Sequence, residues 1–250
     1  MTPFEIVAHR GVPGEYPENT IPSFERAIEL GADAVELDVR LTADKVPVVY
    51  HYYYMHMVTS LPGPIFNYTL EQLGSAKYTG PAKQGAGGYR ISTLEQVLAA
   101  IGGRIGLEIE VKGPEPEAPE IIGSILNSWK SIWDSIEVTS FEPGMLHTVQ
   151  KFCPGMITDL LFPRSESWMQ LDVVAYSALH RARLAQARAI HLHPSQLNPQ
   201  MMSEIREHGI EVHAWDINQP VDLESMAALG IPKFCTDELA QALAFREQLG

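Results

Sequence analysis

Short runs of β-branched and apolar residues alternate along the chain with longer stretches whose apolar residues recur at helical spacing. That alternation is the pattern of parallel βαβ units rather than of a sandwich or a bundle. The runs predict strands over 6–9, 34–39, 107–111, 136–141, 156–162, 189–193, 211–215 and 233–237. Eight strands with intervening helices predict a closed (β/α)8 TIM barrel, an α/β fold, as a single domain over 1–250. Helix ends are readable in between. Thr20 is an N-cap with Pro22 in the first turn and Gly31 at the left-handed C-cap, Thr93 opens a helix that runs to Ile101, Asn198-Pro199 opens one that closes at Gly209, and another runs from Pro220 to Leu229.

One connection breaks the rhythm. Val48-Val49-Tyr50-His51 reads as a continuation of the second strand beyond Pro47. About forty residues then separate it from the helix at Thr93, far more than an ordinary βα loop. The segment, at about 52–90, predicts a small insertion over the carboxyl-end face of the barrel, with a short helix at 69–73 and a glycine-rich run at 85–88.

Composition narrows the partners. Thirty-one acidic against 18 basic side chains leave a net charge of −13, which argues against nucleic acid and against an anionic bilayer. A hydrophobic fraction of 45% with 20% charged residues is globular and excludes disorder and fibres. Only Cys153 and Cys235 could pair, the first residues lack a basic stretch followed by an apolar one, and no run approaches the roughly 18 apolar residues of a membrane helix. The expectation is a cytoplasmic protein without stable membrane insertion that acts on a small molecule. Whether it forms a homo-oligomer stays open.

Catalysis in such barrels sits at the carboxyl ends of the strands. The first strand ends in His9-Arg10-Gly11, the second carries Glu36 and Asp38 on one face, and the third carries Glu108, Glu110 and Lys112 at the same period of two. One strand of alternating acids could be a solvent face. Two neighbouring ones in a sheet covered on both sides argue against that, because such strands normally read as apolar runs. Converging carboxylates instead describe an oxygen-rich site for Mg²⁺ or Ca²⁺. Zinc fits less well, since His9 and His51 are the nearby imidazoles and no His-x-x-x-His spacing supports them. Those two histidines, flanking the cation, could serve as general acid and base, and Arg10 with Lys112 adds positive charge that suits a phosphate. Of the other histidines, His147, His180 and His208 read as helix surface; His56, His191, His193 and His213 stay undecided.

The chain resembles the glycerophosphodiester phosphodiesterase family over nearly its whole length. The resemblance rests on Ala8-His9-Arg10-Gly11 with Pro17-Glu18-Asn19-Thr20, on Glu36-Leu37-Asp38-Val39 leading to Pro47-Val48-Val49-Tyr50-His51, and on Leu107-Glu108-Ile109-Glu110-Val111-Lys112. Weaker echoes are Ser140-Phe141, Trp215-Asp216-Ile217-Asn218 and Thr236-Asp237. The resemblance implies a hydrolase that holds one divalent cation through Glu36, Asp38 and Glu110. Arg10 and Lys112 would hold the phosphate, His9 and His51 would move protons, and Phe141 and Trp215 would present apolar surface to the glycerol carbons. It further implies attack by the substrate's own glycerol hydroxyl, giving a cyclic phosphate that water opens to glycerol 3-phosphate.

Two departures bear on specificity. The family usually places an aspartate after its second histidine and an arginine a few positions on, where this chain has Tyr52 and Met57; it also tends to carry asparagine where Glu108 stands. Two other readings compete: a phospholipase D-like phosphodiesterase on the same barrel, and a non-catalytic phosphate-binding barrel. The acid at Glu110 and the absence of a disulfide framework disfavour the first. The joint presence of His9, Arg10, Glu36, Asp38, His51, Glu110 and Lys112 disfavours the second.

Overall fold

The computed structural model describes residues 4–80 and 87–249. Each predicted strand run forms a strand. In chain order the elements are β1 (Glu5–His9), α1 (Ile21–Leu30), β2 (Ala34–Leu41), β3 (Pro47–Val49), α2 (Leu70–Leu73), α3 (Leu94–Ile101), β4 (Gly106–Val111), α4 (Ala118–Asn127) and β5 (Ile136–Ser140). They continue as α5 (Pro143–Phe152), β6 (Ile157–Leu161), α6 (Leu171–Ala185), β7 (Ala189–Leu192), α7 (Pro199–Glu207), β8 (Glu211–Ala214), α8 (Pro220–Leu229), β9 (Lys233–Thr236) and α9 (Leu239–Leu249).

Eight of the strands are parallel and close on themselves. β1 pairs with β2 on one side (His9 opposite Glu36) and with β9 on the other (Ala8 opposite Thr236). The ring then runs from β2 through β4, β5, β6, β7 and β8 to β9. The register sets the site: Glu36 lies opposite Glu108 and Asp38 opposite Glu110, so the acids of the two strands form two layers, one above the other.

The helices form as their caps dictate. Thr20 accepts from the backbone of Ser23, and Gly31 takes the left-handed cap at φ 89°. Thr93 makes a reciprocal capping box with Gln96, and Asn198 caps the backbone of Met201. Their apolar faces pack Leu94, Leu98, Leu126, Leu146, Ala178 and Ile205 against the outside of the barrel, all buried.

The structure corrects one expectation. The 48–51 run does not extend the second strand; β3 turns back and pairs antiparallel with the end of β2, Val39 opposite Val49 and Leu41 opposite Pro47. The turn is stabilised by Thr42, whose hydroxyl donates to Asp44 and accepts from the Val46 backbone, while Lys45 takes a left-handed φ of 64°. His51 therefore arrives beside Asp38 on a returning strand, the Tyr50 backbone N–H bonding the Asp38 carbonyl. The segment after it holds single helical turns at Met55–Met57 and Ile65–Asn67 and the predicted short helix as α2, capped by Thr69. It builds a small core of its own from Tyr50, Met55, Ile65, Leu73 and Tyr78. Of the predicted glycine-rich run, Gly85 and Ala86 lie outside the described residues. Cys153 and Cys235 are both buried free thiols. Among the described residues, no helix is long and apolar enough to cross a membrane.

Candidate active site

The site begins with how the loop after β1 folds. Arg10 adopts a left-handed φ of 54° and its backbone N–H donates to Glu36. Gly11 follows at φ 89°, where an added Cβ would lie 2.4 Å from the Ser23 hydroxyl, so only glycine fits. The next motif supplies clamps. Asn19 donates to Asp38 Oδ2 (2.7 Å) and accepts from the Asp38 backbone (3.1 Å), while Glu18 pairs with Arg10 at 3.2 Å. The Pro-Glu-Asn-Thr run thus fixes a carboxylate, orients a guanidinium and starts a helix.

Glu36, Asp38 and Glu110 converge at the barrel mouth, each offering an oxygen within 4.8 Å of the others, and all three are buried. Lys112 lies 3.0 Å from Asp38 and 2.8 Å from Glu110; the Arg10 Nε lies 3.2 Å from Asp38. Burial and the charges of Asp38 and Glu110 push the Glu36 carboxyl well above its usual range. Burial also raises Glu110, although Lys112 opposes it. Asp38 goes the other way: burial favours its neutral form, but Lys112 and Arg10 together hold it ionised, below the ordinary carboxylate range. Glu36 Oε1 is buried without a hydrogen-bond partner among the described residues. Three buried carboxylates, two cationic neighbours and an orphaned oxygen make a donor set that fits a hard divalent cation.

The two imidazoles stand in different settings. His9 Nδ1 lies 2.6 Å from Asp237 Oδ1, and its Nε2 faces Glu36 at 3.9 Å. Asp237 is itself held by Asn218, which donates to Oδ2 at 3.0 Å and accepts from the Asp237 backbone. His51 has its carbonyl fixed by Arg40 Nε at 2.7 Å and its ring edge-on to Tyr52, centroids 4.7 Å apart. Burial pushes the His51 imidazole down to about 3; Asp38 opposes this, and Lys112 and Arg10 add to it.

A cavity of about 250 Å³ opens above the triad. It is lined by eight of the nine residues singled out from the sequence: His9, Arg10, Glu36, His51, Glu110, Lys112, Phe141 and Trp215. Asp38, fully buried, sits behind Arg10 and Lys112. Phe141 and Trp215 meet edge to face at 6.3 Å and form the apolar wall, the indole N–H donating to the Phe162 carbonyl.

Glu108, counted from the sequence with the converging acids, is drawn elsewhere. It lies in register with Glu36 and borders the same cavity, but its carboxylate pairs at 2.7 Å with Lys233, which also binds Glu137 at 2.7 Å, and so does not join the three converging acids. The undecided His191 and His213 lie in the same buried layer, ring nitrogens 3.1 Å apart, beside an Asp159 that accepts from Arg188 and the Ala189 backbone and lies 3.4 Å from His191 Nε2. Asp237, Asn218 and Arg40 were not singled out for the site. For Asp237 and Asn218 the signal was the weak family echo in Thr236-Asp237 and Trp215-Asp216-Ile217-Asn218.

Buried acids and imidazoles gathered at the carboxyl end of a (β/α)8 barrel define the protein as a barrel enzyme. Residues 9–241 match the glycerophosphoryl diester phosphodiesterase family, and the chain belongs to it; its class is glycerophosphodiester phosphodiesterase. It is 31% identical over 241 residues to the glycerophosphodiester phosphodiesterase of Caldanaerobacter subterraneus subsp. tengcongensis, covering 93% of each chain. It is 27% identical over 251 residues to that of Bacillus altitudinis, covering 98% of this chain and 99% of the relative. Among solved structures, an Oleispira antarctica phosphodiesterase in complex with the product sn-glycerol-3-phosphate is 25% identical and superposes with a TM-score of 0.82, covering 96% and 95% of the two chains.

Proposed function

We propose that the chain is a single barrel domain over 1–250, with the insertion at about 52–90, that hydrolyses glycerophosphodiesters to glycerol 3-phosphate and an alcohol in the cytoplasm. One observation carries the reading: Glu36, Glu110, the two imidazoles and the Arg10–Lys112 cations line one cavity, with Asp38 completing the carboxylate triad directly behind it. The product bound by the Oleispira relative supports the choice of substrate.

Glu36, Asp38 and Glu110 would hold one Mg²⁺ or Ca²⁺, which when bound supplies Lewis-acid stabilisation of charge on the phosphoryl oxygens. Arg10 and Lys112 bind the remaining oxygens, and Phe141 with Trp215 packs on the glycerol carbons. Burial keeps the His51 imidazole neutral, ready to accept the proton of the attacking glycerol hydroxyl. That hydroxyl forms a new P–O bond as the bond to the leaving alcohol breaks. His9, whose Nδ1 is held by the Asp237 carboxylate, gives the alcohol its proton. Water then opens the cyclic phosphate with the roles of the two rings reversed.

The test is release of glycerol 3-phosphate from glycerophosphocholine, followed with and without a divalent cation and with a glycerol 2-deoxy analogue of the substrate. Turnover of the parent alone, with transient cyclic phosphate, is the expected result. Undiminished hydrolysis of the deoxy analogue would rule out intramolecular attack, and binding without turnover would rule out the enzyme reading.

A further inference from the structure

The outer face of α6 carries an apolar stripe that none of the described residues covers. Its inner face packs Val174, Ala175, Ala178, Leu179, Ala182 and Ala185 on the barrel, as an amphipathic barrel helix should. The opposite face would then be polar, yet it presents Val173, Tyr176, His180 and Leu184 to solvent. Val173 is 48% exposed, Tyr176 63% and Leu184 72%. At 3.6 residues per turn these four lie in one narrow band down the helix, and the Tyr176 and His180 rings touch at a tilt of 57°, centroids 4.3 Å apart. Isolated exposed apolar side chains are ordinary; a continuous band is a contact surface.

We infer that α6 docks against α6 of a second copy of this chain, antiparallel, about a two-fold axis beside Ala178. The spacing itself is self-complementary. Reversing the helix about that point brings Val173 against the second copy's Leu184 and Tyr176 against its His180, so each large side chain meets one from the other copy. A two-fold interface requires such pairing of one patch with itself.

Charge supports the same register and the same occupant. Asp172 in the first turn and Arg183 in the last lie on the same flank of the band. In an antiparallel pair, equal flanks face each other, so Asp172 of each copy meets Arg183 of the other. Arg181 turns away to the Phe141 carbonyl, so the exposed flank carries Asp172 and Arg183 and is neutral in a chain of net charge −13. This face can therefore approach another copy where most of the surface would repel it. Trp168, 68% exposed just before the helix, extends the apolar surface toward the carboxyl end of the second copy's α6. A single helix of fifteen residues, about 22 Å long, makes a small interface, so the dimer is a reversible one.

Sedimentation velocity of the full chain, from about 1 to 100 μM, tests it. The wild type shifts from monomer to dimer with concentration. Leu184→Glu and Arg183→Asp each weaken association by at least about tenfold, a change of roughly 1.4 kcal/mol in conversion. The double variant Asp172→Arg/Arg183→Asp restores it, because the cross-copy pair is rebuilt with its charges exchanged. All three positions are exposed, so circular dichroism and melting should match the wild type. A wild type that stays monomeric overturns the inference, and so does a dimer indifferent to Leu184→Glu. A double variant no better than Arg183→Asp overturns the antiparallel register.

Discussion

The Nδ1 of His9 and the Oδ1 of Asp237 lie 2.6 Å apart, although 228 residues separate them in sequence. Closure of the barrel between β1 and β9 brings them together. Although burial favours its neutral form, the hydrogen bond from His9 holds Asp237 below the ordinary carboxylate range. An ionised acceptor on Nδ1 fixes the tautomer and leaves Nε2 facing the cavity. Asp237→Ala should therefore lower kcat on the order of 10²-fold with little change in KM. Asp237→Asn, which keeps an acceptor without the charge, should lose less. Steady-state kinetics with glycerophosphocholine check this, and equal KM and kcat losses would make Asp237 a substrate contact instead.

His9→Ala and His51→Ala should each cost about 10²- to 10⁴-fold in kcat while the fold survives. The support of His51 is separately testable. Arg40 donates to the carbonyls of His51 (2.7 Å) and Gly113 (3.3 Å), with its guanidinium 3.9 Å from the Tyr53 ring centre. Arg40→Met should lower kcat by about tenfold or more, whereas Tyr53→Phe, which keeps the ring under the cation, should be near neutral. If Arg40→Met keeps wild-type kcat while His51→Ala is inactive, the hairpin holds itself without the clamp.

Much of this arrangement was legible because strand periodicity is strict. Glu36 with Asp38, and Glu110 with Lys112, had to share faces once 34–39 and 107–111 were strands, and the closed barrel then made those faces interior. The hairpin was not legible. Its turn holds no glycine, and the left-handed residue is Lys45, so Val48 to His51 read as one strand with what precedes it. Asp237 was visible only as a weak echo of the family, and its role was not legible because it depends on a contact across the barrel seam, which no local pattern encodes. His191 and His213 stayed undecided because their partners come from neighbouring strands in register, His191 opposite His213.

Removal of divalent cation should abolish activity, and Mg²⁺ or Ca²⁺ should restore it; zinc as best activator would contradict an all-carboxylate ligand set. Stability gives a second readout. Glu36 and Glu110 have raised pKa values in the cation-free fold. The folded state thus binds more protons than the unfolded one above the ordinary glutamate value of 4.5, and this contribution is lost as pH rises through the folded values. Cation-free protein should melt lower as pH rises over that window, and Glu36→Gln should flatten the slope. Added cation should raise the Tm of the wild type, and the variant should lose that rise. An unchanged slope in Glu36→Gln would place the pH dependence elsewhere.

Lys233 is buried between Glu108 and Glu137, 2.7 Å from each. Removing one partner of a buried pair leaves an uncompensated charge, at a cost of about 3–5 kcal/mol. Lys233→Met should destabilise by about that much, and adding Glu108→Gln should recover a substantial part, since the stranded carboxylate would be neutral. Urea denaturation of the two single variants and the double variant measures the coupling. Strict additivity would show that Lys233 and Glu108 act independently despite their contact.

The last prediction concerns Tyr52 and Met57, which stand where the family usually has aspartate and arginine. Their surroundings differ. Met57 is 53% exposed at the first helical turn of the insertion, away from the cavity lining. Tyr52 packs edge-on to His51, its ring centre 5.9 Å from the Arg10 guanidinium and its hydroxyl 3.5 Å from Glu18. Met57→Arg should therefore change the ranking of kcat/KM among glycerophosphodiesters with different alcohols by a few-fold, leaving kcat on the best substrate and the cation requirement unchanged. Tyr52→Asp places a carboxylate beside His51 and Arg10, so it should alter kcat on every substrate and raise the pH at which His51 titrates, because an adjacent anion favours the imidazolium. Three substrates differing only in the alcohol, assayed across pH with both single variants, separate the two effects. A pH profile unmoved by Tyr52→Asp, with only the ranking altered, would assign Tyr52 to leaving-group selection and free His51 from its influence.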